Sequence, residues 1–157
     1  MEISYGLADP EPLRRLTGLE LLRAMVAGHL PAPPMAERLG FRLAEVDEGR
    51  AVFEGAPDAR LLNPLGTVHG GYALTLIDSA AGCAVHSRLP AGTGYTTLET
   101  KVNFVRAIKP DGRPVRCEGT VLSLGRQIGT AEARLTDADG ILLAHGSSTL
   151  MIFAARP

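Results

Sequence analysis

The sequence predicts an α+β fold in which one long helix packs on one face of an antiparallel sheet. The first observation behind this prediction is the apolar segment at residues 70–85, whose one charge is Asp78 and which is long enough for a central helix. The second is a series of runs that alternate apolar and polar residues, two before this segment and four after it. Such alternation is typical of strands, and glycine-containing turns separate most of the runs.

The composition is that of a single globular domain. A chain of 157 residues can bury a full core, and its 45% hydrophobic and 21% charged residues exclude a disordered chain. A formal net charge of −1 without a basic run gives no footprint for nucleic acid, and no apolar stretch reaches the roughly 18 residues of a membrane span. We therefore expect a soluble domain that binds neither nucleic acid nor membrane.

No catalytic or metal-binding role is predicted for the two cysteines or for three of the four histidines. The first ten residues lack the basic start and apolar run of a signal peptide, which predicts a cytoplasmic location. In that reducing compartment Cys83 and Cys117 are expected to be free thiols, and neither has partners at metal-ligand spacing. His29, His86 and His145 stand alone in the sequence and are interpreted as surface or structural residues.

The N-terminal elements are predicted from capping and breaking residues. Thr17-Gly-Leu-Glu20 is a capping-box pattern that begins an amphipathic helix, and Gly28 is its predicted end. The prolines within residues 31–34 then break the chain, and residues 35–40 are predicted to add one short helical turn. The expected division is a helical extension at residues 1–34 and the main domain at residues 35–157.

The strand predictions place a hairpin before the central helix and a meander after it. The central helix is expected at about residues 69–88. The runs that predict strands are residues 41–46, 50–55, 95–108, 115–124, 128–136 and 141–153. Because short turns join the last four runs, we expect them to pair in sequence order as an antiparallel meander.

Asp78 is the first candidate for chemistry. An ionised carboxylate among small apolar side chains loses hydration that its own segment does not replace. A surface helix would show a polar stripe around such a residue, and residues 70–85 show none. A functional carboxylate and an ordinary solvated one both remain open at this point.

The second candidate is the stretch Asn63-Pro-Leu-Gly-Thr-Val-His69-Gly70-Gly71. At a helix start, the Gly70 N–H is a donor for an oxyanion, reinforced by the helix dipole. The same dipole favours a neutral His69, which suits an orienting role better than that of a general base. The alternative for His69 is a helix-capping residue, and for the glycines it is close packing.

With these residues in place, the chain resembles the hotdog-fold acyl-CoA thioesterases, in particular the phenylacetyl-CoA-type (PaaI-like) branch. The resemblance implies a sheet wrapped around one central helix and hydrolysis of an acyl-CoA thioester to free acid and CoA. CoA would then be part of the substrate, and no cofactor is implied. The resemblance rests on Asn63-x-x-Gly66-Thr-x-His69-Gly70-Gly71, on Leu76-x-Asp78-x-Ala80-x-Gly82 and on the strand pattern at residues 95–153.

The resemblance also implies roles in the reaction. Thioester hydrolysis needs an activated water or a carboxylate nucleophile, and a donor for the developing oxyanion. Asp78 would be the general base or nucleophile, and the Gly70 N–H would bind the thioester oxygen. His69 and Asn63 would arrange the carbonyl end.

A hydroxyl on the strand after the helix orients water in relatives. That place falls on Thr97, or on Thr96 after a slip of one residue. Strict alternation would put Thr97 on one face with Glu99, Lys101 and Asn103, opposite Leu98, Val102 and Phe104.

Substrate contacts are also predicted. Tyr72 and Leu65, together with Leu62, Leu74 and the backbone of Gly71, would line an apolar pocket for an aromatic or medium-chain acyl group. Arg106 and Arg126 lie near strand ends and would meet the phosphates of CoA, with solvated turn charges as the alternative. The sequence does not separate CoA from acyl-carrier protein as the carrier.

Spacing adds a prediction about assembly. Gly70 and Asp78 are eight positions apart, or about 12 Å along a helix. One chain therefore cannot bring both groups to one carbonyl carbon. A two-fold axis that sets two such helices antiparallel would bring them together, which predicts an obligate homodimer with shared sites. The resemblance implies further pairing of dimers into tetramers.

Two other functions remain open. A hotdog hydratase or dehydratase would use a histidine and a carboxylate as an acid/base pair, although a His69 placed before Gly-Gly argues against it. A non-catalytic acyl-CoA-binding module would have no use for Asp78. The sequence contains no Gly-x-Ser-x-Gly elbow, phosphate loop, dinucleotide fingerprint or His-Glu-x-x-His, which excludes serine hydrolases, NTPases, Rossmann enzymes and zincins.

Overall fold

The computed structural model describes residues 3–154 and consists of four α-helices, one short 3-10 helix (Ala59–Leu61) and six strands within that range. The helices are α1 (Pro10–Arg15), α2 (Gly18–Val26), α3 (Pro34–Leu39) and α4 (Gly70–His86). The strands are β1 (Phe41–Asp47), β2 (Arg50–Gly55), β3 (Thr93–Phe104), β4 (Val115–Leu124), β5 (Ile128–Thr136) and β6 (Leu142–Ala154). This is the predicted α+β architecture, a hotdog fold with additional N-terminal helices.

The predicted capping box begins α2. Thr17 Oγ1 accepts from the Glu20 N–H at 3.3 Å, and a Glu20 carboxylate oxygen accepts from the Thr17 N–H at 2.9 Å. The helix ends at Val26, and Gly28 follows in the left-handed region at φ 73°. Leu21 and Leu22 are buried against the sheet, which places the extension on the main domain. The six-residue helix α1 precedes the capping box and was not predicted.

The strand order corrects the predicted meander. The sheet runs β1-β2-β4-β5-β6-β3, with every neighbouring pair antiparallel. Strands β4, β5 and β6 form the expected meander, but β3 pairs with β6 at the far edge and not with β4. The physical reason is the helix, because α4 crosses the inner face of the sheet and delivers the chain to the opposite edge. The turn at residues 109–113 therefore connects β3 to β4, which are not neighbours in the sheet.

Small residues allow the sheet to wrap closely around α4. A Cβ atom at Gly119 would overlap the carbonyl of Ala80, and one at Gly146 would lie 3.1 Å from the Ile77 side chain. The buried side of the helix contacts β2 to β6 and lies in the main hydrophobic core. It consists of Tyr72, Ala73, Leu76, Ile77, Ala80, Ala81, Gly82, Ala84 and Val85.

A bulge in β3 changes which residues face the helix. Thr97 pairs with Leu150, whereas Glu99 pairs with Thr149, so Leu98 is the extra residue. Thr97 and Thr100 consequently point to the same side, and the predicted face shared by Thr97 and Glu99 was wrong. Alternation failed because one inserted residue reverses the orientation of every side chain after it.

Two further features of the chain concern its exterior. Within residues 3–154, β3 pairs on one side only and forms an edge of the sheet, with Leu98 and Phe104 exposed. Over the same range, no helix combines the length and apolar character needed to cross a membrane.

Candidate active site

Asp78 is held by two threonines of β3. Its Oδ1 atom accepts hydrogen bonds from Thr97 Oγ1 and from Thr100 Oγ1, both at 2.9 Å. Behind them, Ser148 Oγ lies 3.0 Å from Thr100 Oγ1. Two hydroxyl donors on one oxygen suit an ionised carboxylate, which only accepts. In the described part of the chain, Oδ2 accepts no hydrogen bond and is available for chemistry.

The structure chooses between the two threonines that the sequence left open. Thr97 contacts the carboxylate, whereas Thr96 is exposed on the other side of β3. Thr100 was missed, because strict alternation assigns residues 97 and 100 to opposite faces. The Thr-rich composition of residues 96–100 was the available signal, but the bulge that aligns two of these hydroxyls depends on pairing with β6.

Asp78 lies in the wall of a large cavity of about 890 Å³. Ser79, Cys83 and His86, also on α4, line the same cavity, with Tyr95 from β3. The rings of His86 and Tyr95 lie 5.4 Å apart. The remaining wall is mostly apolar and comes from the N-terminal extension, β1 and β2.

Burial keeps the groups around Asp78 uncharged. Desolvation raises the pKa of Cys83 to about 12 and raises that of Tyr95 well above its usual value, so both stay protonated at neutral pH. Desolvation also lowers the pKa of His86, which keeps its ring neutral. His86 was predicted to be structural or surface-exposed, and the structure adds that it lines the cavity. Asp78 is therefore the one charged side chain on the α4 wall.

The loop before α4 is folded by Asn63. Its Oδ1 accepts from the N–H groups of Leu65 and Thr67 at 2.9 and 3.2 Å, and its Nδ2 donates to Thr67 Oγ1 at 2.9 Å. Gly66 completes the turn with φ 80°. Asn63 thus shapes the loop that leads to the helix, and Leu65 is 89% exposed at its tip.

His69 is the N-cap of α4. Its Nδ1 accepts from the Gly71 N–H at 2.8 Å, so that nitrogen is unprotonated and the proton of the neutral ring is on Nε2. This capping role was the structural alternative from the sequence. Because the Gly71 N–H is already hydrogen-bonded to His69, the neighbouring Gly70 N–H is the one that remains free to donate.

Gly70 opens onto a second, smaller cavity. Within residues 3–154 its N–H donates to no acceptor, and it lies in the wall of a cavity of about 310 Å³ with Asn63, Phe104 and Arg106. A Cβ at Gly70 would lie 3.1 Å from the Phe104 ring. The structure therefore groups Asn63, His69 and Gly70 at the start of α4, and Asp78 and Thr97 about two turns away.

The predicted substrate residues are only partly supported by their positions. Tyr72, which was expected to line the acyl pocket, is 3% exposed, and its hydroxyl packs against Gly55 in the core, so it lines neither cavity of this chain. Leu65 is exposed but lies outside both cavities. Arg106 lines the Gly70 cavity, whereas Arg126 follows β4 near the other end of α4, so one chain does not bring the two arginines together.

Comparison with known families identifies the chain. Residues 65–144 match the model of the thioesterase superfamily, a range that includes His69, Gly70, Asp78, Thr97 and Thr100 but not Asn63 or Ser148. The chain is 33% identical over 96 residues to a Halobacterium salinarum protein whose name assigns it provisionally to the esterases. That alignment covers 56% of this chain, and the chain spans 62% of that relative's length. It is 24% identical over 122 residues to a 1,4-dihydroxy-2-naphthoyl-CoA hydrolase of Listeria monocytogenes, covering 78% of this chain and 98% of the hydrolase.

Solved structures show the same fold. A conserved protein of Pseudomonas aeruginosa is 32% identical with a TM-score of 0.71, and the match covers 76% of this chain and 94% of the Pseudomonas chain. PaaI of E. coli, from the phenylacetic acid degradation operon, has a TM-score of 0.76 at 22% identity, and the match covers 88% of this chain and 95% of PaaI.

Proposed function

Since the chain belongs to the thioesterase superfamily and is a hotdog-fold thioester hydrolase, we propose that it hydrolyses aromatic or medium-chain acyl-CoA thioesters with Asp78 as its central catalytic residue. The observation that carries this proposal is the Asp78 carboxylate, with one oxygen held by two threonines and the other free beside an apolar cavity. In this proposal CoA is part of the substrate and no separate cofactor is used.

Asp78 can act in either of two ways. As a general base, its free oxygen takes a proton from water, the hydroxide adds to the thioester carbon, and the proton passes to the departing CoA thiolate. As a nucleophile, it attacks the carbon itself, releases CoA and leaves a mixed anhydride that water hydrolyses. Both routes place negative charge on the carbonyl oxygen. A burst of CoA release in the first turnover would favour the nucleophilic route.

The Gly70 N–H is the proposed donor for that oxygen. It is unpaired in the described chain, begins a 17-residue helix and is adjacent to the fixed His69 cap. A single backbone or side-chain donor at an oxyanion typically contributes about 10²- to 10³-fold in rate. His69 and Asn63 support this donor by holding the loop and the helix start in place.

The site is proposed to be shared between two subunits. Gly70 and Asp78 face different cavities of one chain, about 12 Å apart along α4. The uncovered edge of β3 offers a surface on which two copies can meet around a two-fold axis. We therefore propose a homodimer with two shared sites, and a dimer of dimers as its further assembly.

The substrate proposal follows from the cavity and from one relative. The apolar wall beside Asp78 suits an uncharged acyl group. The Listeria monocytogenes hydrolase acts on an aromatic acyl-CoA according to its name. Both support aromatic or medium-chain acyl groups, and with CoA as carrier we propose a cytoplasmic location.

Thiol release tests the function directly. CoA liberated from phenylacetyl-, benzoyl-, hexanoyl- and lauroyl-CoA would be followed with a chromogenic disulfide for the wild type and for Asp78→Asn. We expect release by the wild type and a loss of at least about 10²-fold in the variant, as for removal of a general base. Asp47→Asn, which changes an exposed carboxylate on β1, is the matched control. Absence of release from every substrate, or full activity of Asp78→Asn, would contradict the proposal.

Complementation tests the shared site. Differently tagged Asp78→Asn and Gly70→Pro subunits would be co-expressed and the mixed dimer isolated. If sites are shared, one of its two sites contains both intact groups, so activity returns to about half that of the wild type. A mixed dimer as inactive as its parents would show that each site is built from one chain.

A further inference from the structure

The cavity beside Asp78 lies under the N-terminal extension. One wall is α4, and the facing wall is the inner side of α2 with the neighbouring residues of β1. The α2 residues in this wall are Leu21, Leu22, Met25 and Val26, and those of β1 and β2 include Phe41, Leu43 and Phe53. The extension thus contributes much of the apolar surface near the candidate catalytic carboxylate.

The extension is fixed to the main domain through α2, where Leu21 and Leu22 pack with Val46 of β1. The Gly18 N–H donates to the Leu89 carbonyl at 3.0 Å, and a Cβ at Gly18 would overlap the His86 carbonyl. Within the extension itself, the Gly6 N–H donates to the Ala32 carbonyl at 2.9 Å. The close approach at Gly18 leaves little clearance between the start of α2 and the end of α4.

We propose that this cavity holds the acyl part of the substrate, and that α2 sets the largest acyl group accepted. This inference rests on the proposed function, because it uses Asp78 to locate the thioester carbon. The lining disfavours the CoA end, since its phosphates would lose their hydration against leucine, methionine and phenylalanine side chains. Arg42 also lines this cavity, but it is already ion-paired with Glu54 at 2.6 Å. A volume of about 890 Å³ lies near the upper end of the roughly 300–1,000 Å³ found for small-molecule sites, so it suits a bulky apolar group.

The wall formed by α2 is separate from the region that the family model matches. The matched region begins at residue 65, so α1, α2 and α3 lie outside it. The Asp78 chemistry is therefore combined with a wall that the family model does not include. Each methylene group that moves from water into such a wall favours binding by about fourfold. We expect kcat/KM to rise with the size of the acyl group until α2 limits further growth.

Met25 provides the test of this limit. It is only partly buried, so Met25→Trp can fill the cavity from its wall without removing a core residue. Arg23→Trp adds the same bulk to the exposed side of α2, where its ion pair with Asp47 is long, at 3.8 Å, and exposed. The measurement is kcat/KM for acetyl-, hexanoyl-, phenylacetyl- and lauroyl-CoA, with thermal unfolding of each variant.

The expected result is a change in acyl selectivity. Met25→Trp should reduce kcat/KM for the largest accepted acyl group at least tenfold and change the smallest less than threefold, whereas Arg23→Trp should keep the wild-type profile. Met25→Ala should shift the optimum towards larger acyl groups.

An unchanged selectivity profile in both Met25 variants with full activity would overturn the inference while leaving the proposed function intact. A changed oligomeric state with an unchanged profile would assign the cavity to a second copy of the chain, which also overturns it. Absence of thiol release by the wild type would instead contradict the proposed function.

Discussion

The two halves of α4 present different kinds of functional group. At its start, Gly70 offers a backbone N–H, and the groups that position it, Asn63 and His69, lie within seven residues. From the middle of the helix onwards, Asp78 offers a side chain positioned by Thr97 and Thr100, about twenty residues further along the chain. The helix start is organised by local hydrogen bonds, and the surroundings of Asp78 by sheet pairing and by the N-terminal extension. One helix therefore carries two groups of candidate site residues with different structural origins.

The largest effect is expected at the helix start. Gly70→Pro removes the proposed donor N–H, and proline is tolerated at the first position of a helix. His69 already has the extended conformation, at ψ 135°, that a residue before proline requires. We expect kcat to fall by about 10²- to 10³-fold with little loss of fold. Gly70→Ala is the control, because it keeps the N–H and meets the same Phe104 ring at 3.1 Å. Equal losses of kcat in both variants would show that packing against Phe104, and not removal of the N–H, causes the loss.

A smaller effect is expected where β3 supports the carboxylate. Thr97→Val keeps the shape of the side chain but removes one of the two donors to Asp78 Oδ1. A hydrogen bond to a charged group contributes about 1.5–3 kcal/mol. With Thr100 still in place, we expect kcat to fall at least tenfold, and Thr97→Ser to restore most of it. Steady-state kinetics with one acyl-CoA would check this, and an unaffected Thr97→Val enzyme would show that Thr100 alone positions Asp78.

Two substitutions of His69 distinguish a capping role from a role in catalysis. His69→Ala removes the acceptor for the Gly71 N–H, and we expect the free energy of unfolding to fall by about 1 kcal/mol, as for loss of other N-caps. His69→Asn replaces the ring with a side chain that caps well and should restore stability. Denaturant unfolding and kcat measured together separate the roles. Recovery of stability without activity would assign the ring to the carbonyl end of the substrate, and recovery of both would restrict His69 to capping.

The smallest effect concerns the opposite end of α4. Burial lowers the pKa of His86 below its ordinary value of 6.5, so protonation is less favourable in the folded than in the unfolded chain. The folded state keeps the full contribution of this group above the unfolded pKa and loses it as pH falls below that value. Unfolding measured at pH 7.5 and 5.5 should show a smaller loss of stability for His86→Gln than for the wild type. Equal losses would show that His86 remains accessible to protons in the fold.

The sequence predicted the groups with local partners better than those with distant ones. The capping box at Thr17, the helix start at Gly70 and most strand bounds follow from patterns within a few residues, and the structure confirms them. The position of β3 beside β6, the bulge at Leu98 and the pairing of Thr100 with Asp78 were missed. Each depends on contacts between residues more than twenty positions apart, which alternation cannot encode. The burial of Tyr72 was missed for the same reason, because it depends on the close approach of Gly55.

The protonated thiol of Cys83 has a consequence for the lifetime of the enzyme. Each turnover of the proposed reaction would release CoA, itself a thiol, at the Asp78 carboxylate, and Cys83 lies in the wall of the cavity beside that carboxylate. Mixed disulfides form through thiolates, and burial raises the pKa of Cys83 to about 12 and that of buried Cys117 further still. Both cysteines of the chain are therefore poor partners for exchange with oxidised CoA. We expect the protein to resist inactivation by its own product under oxidising conditions.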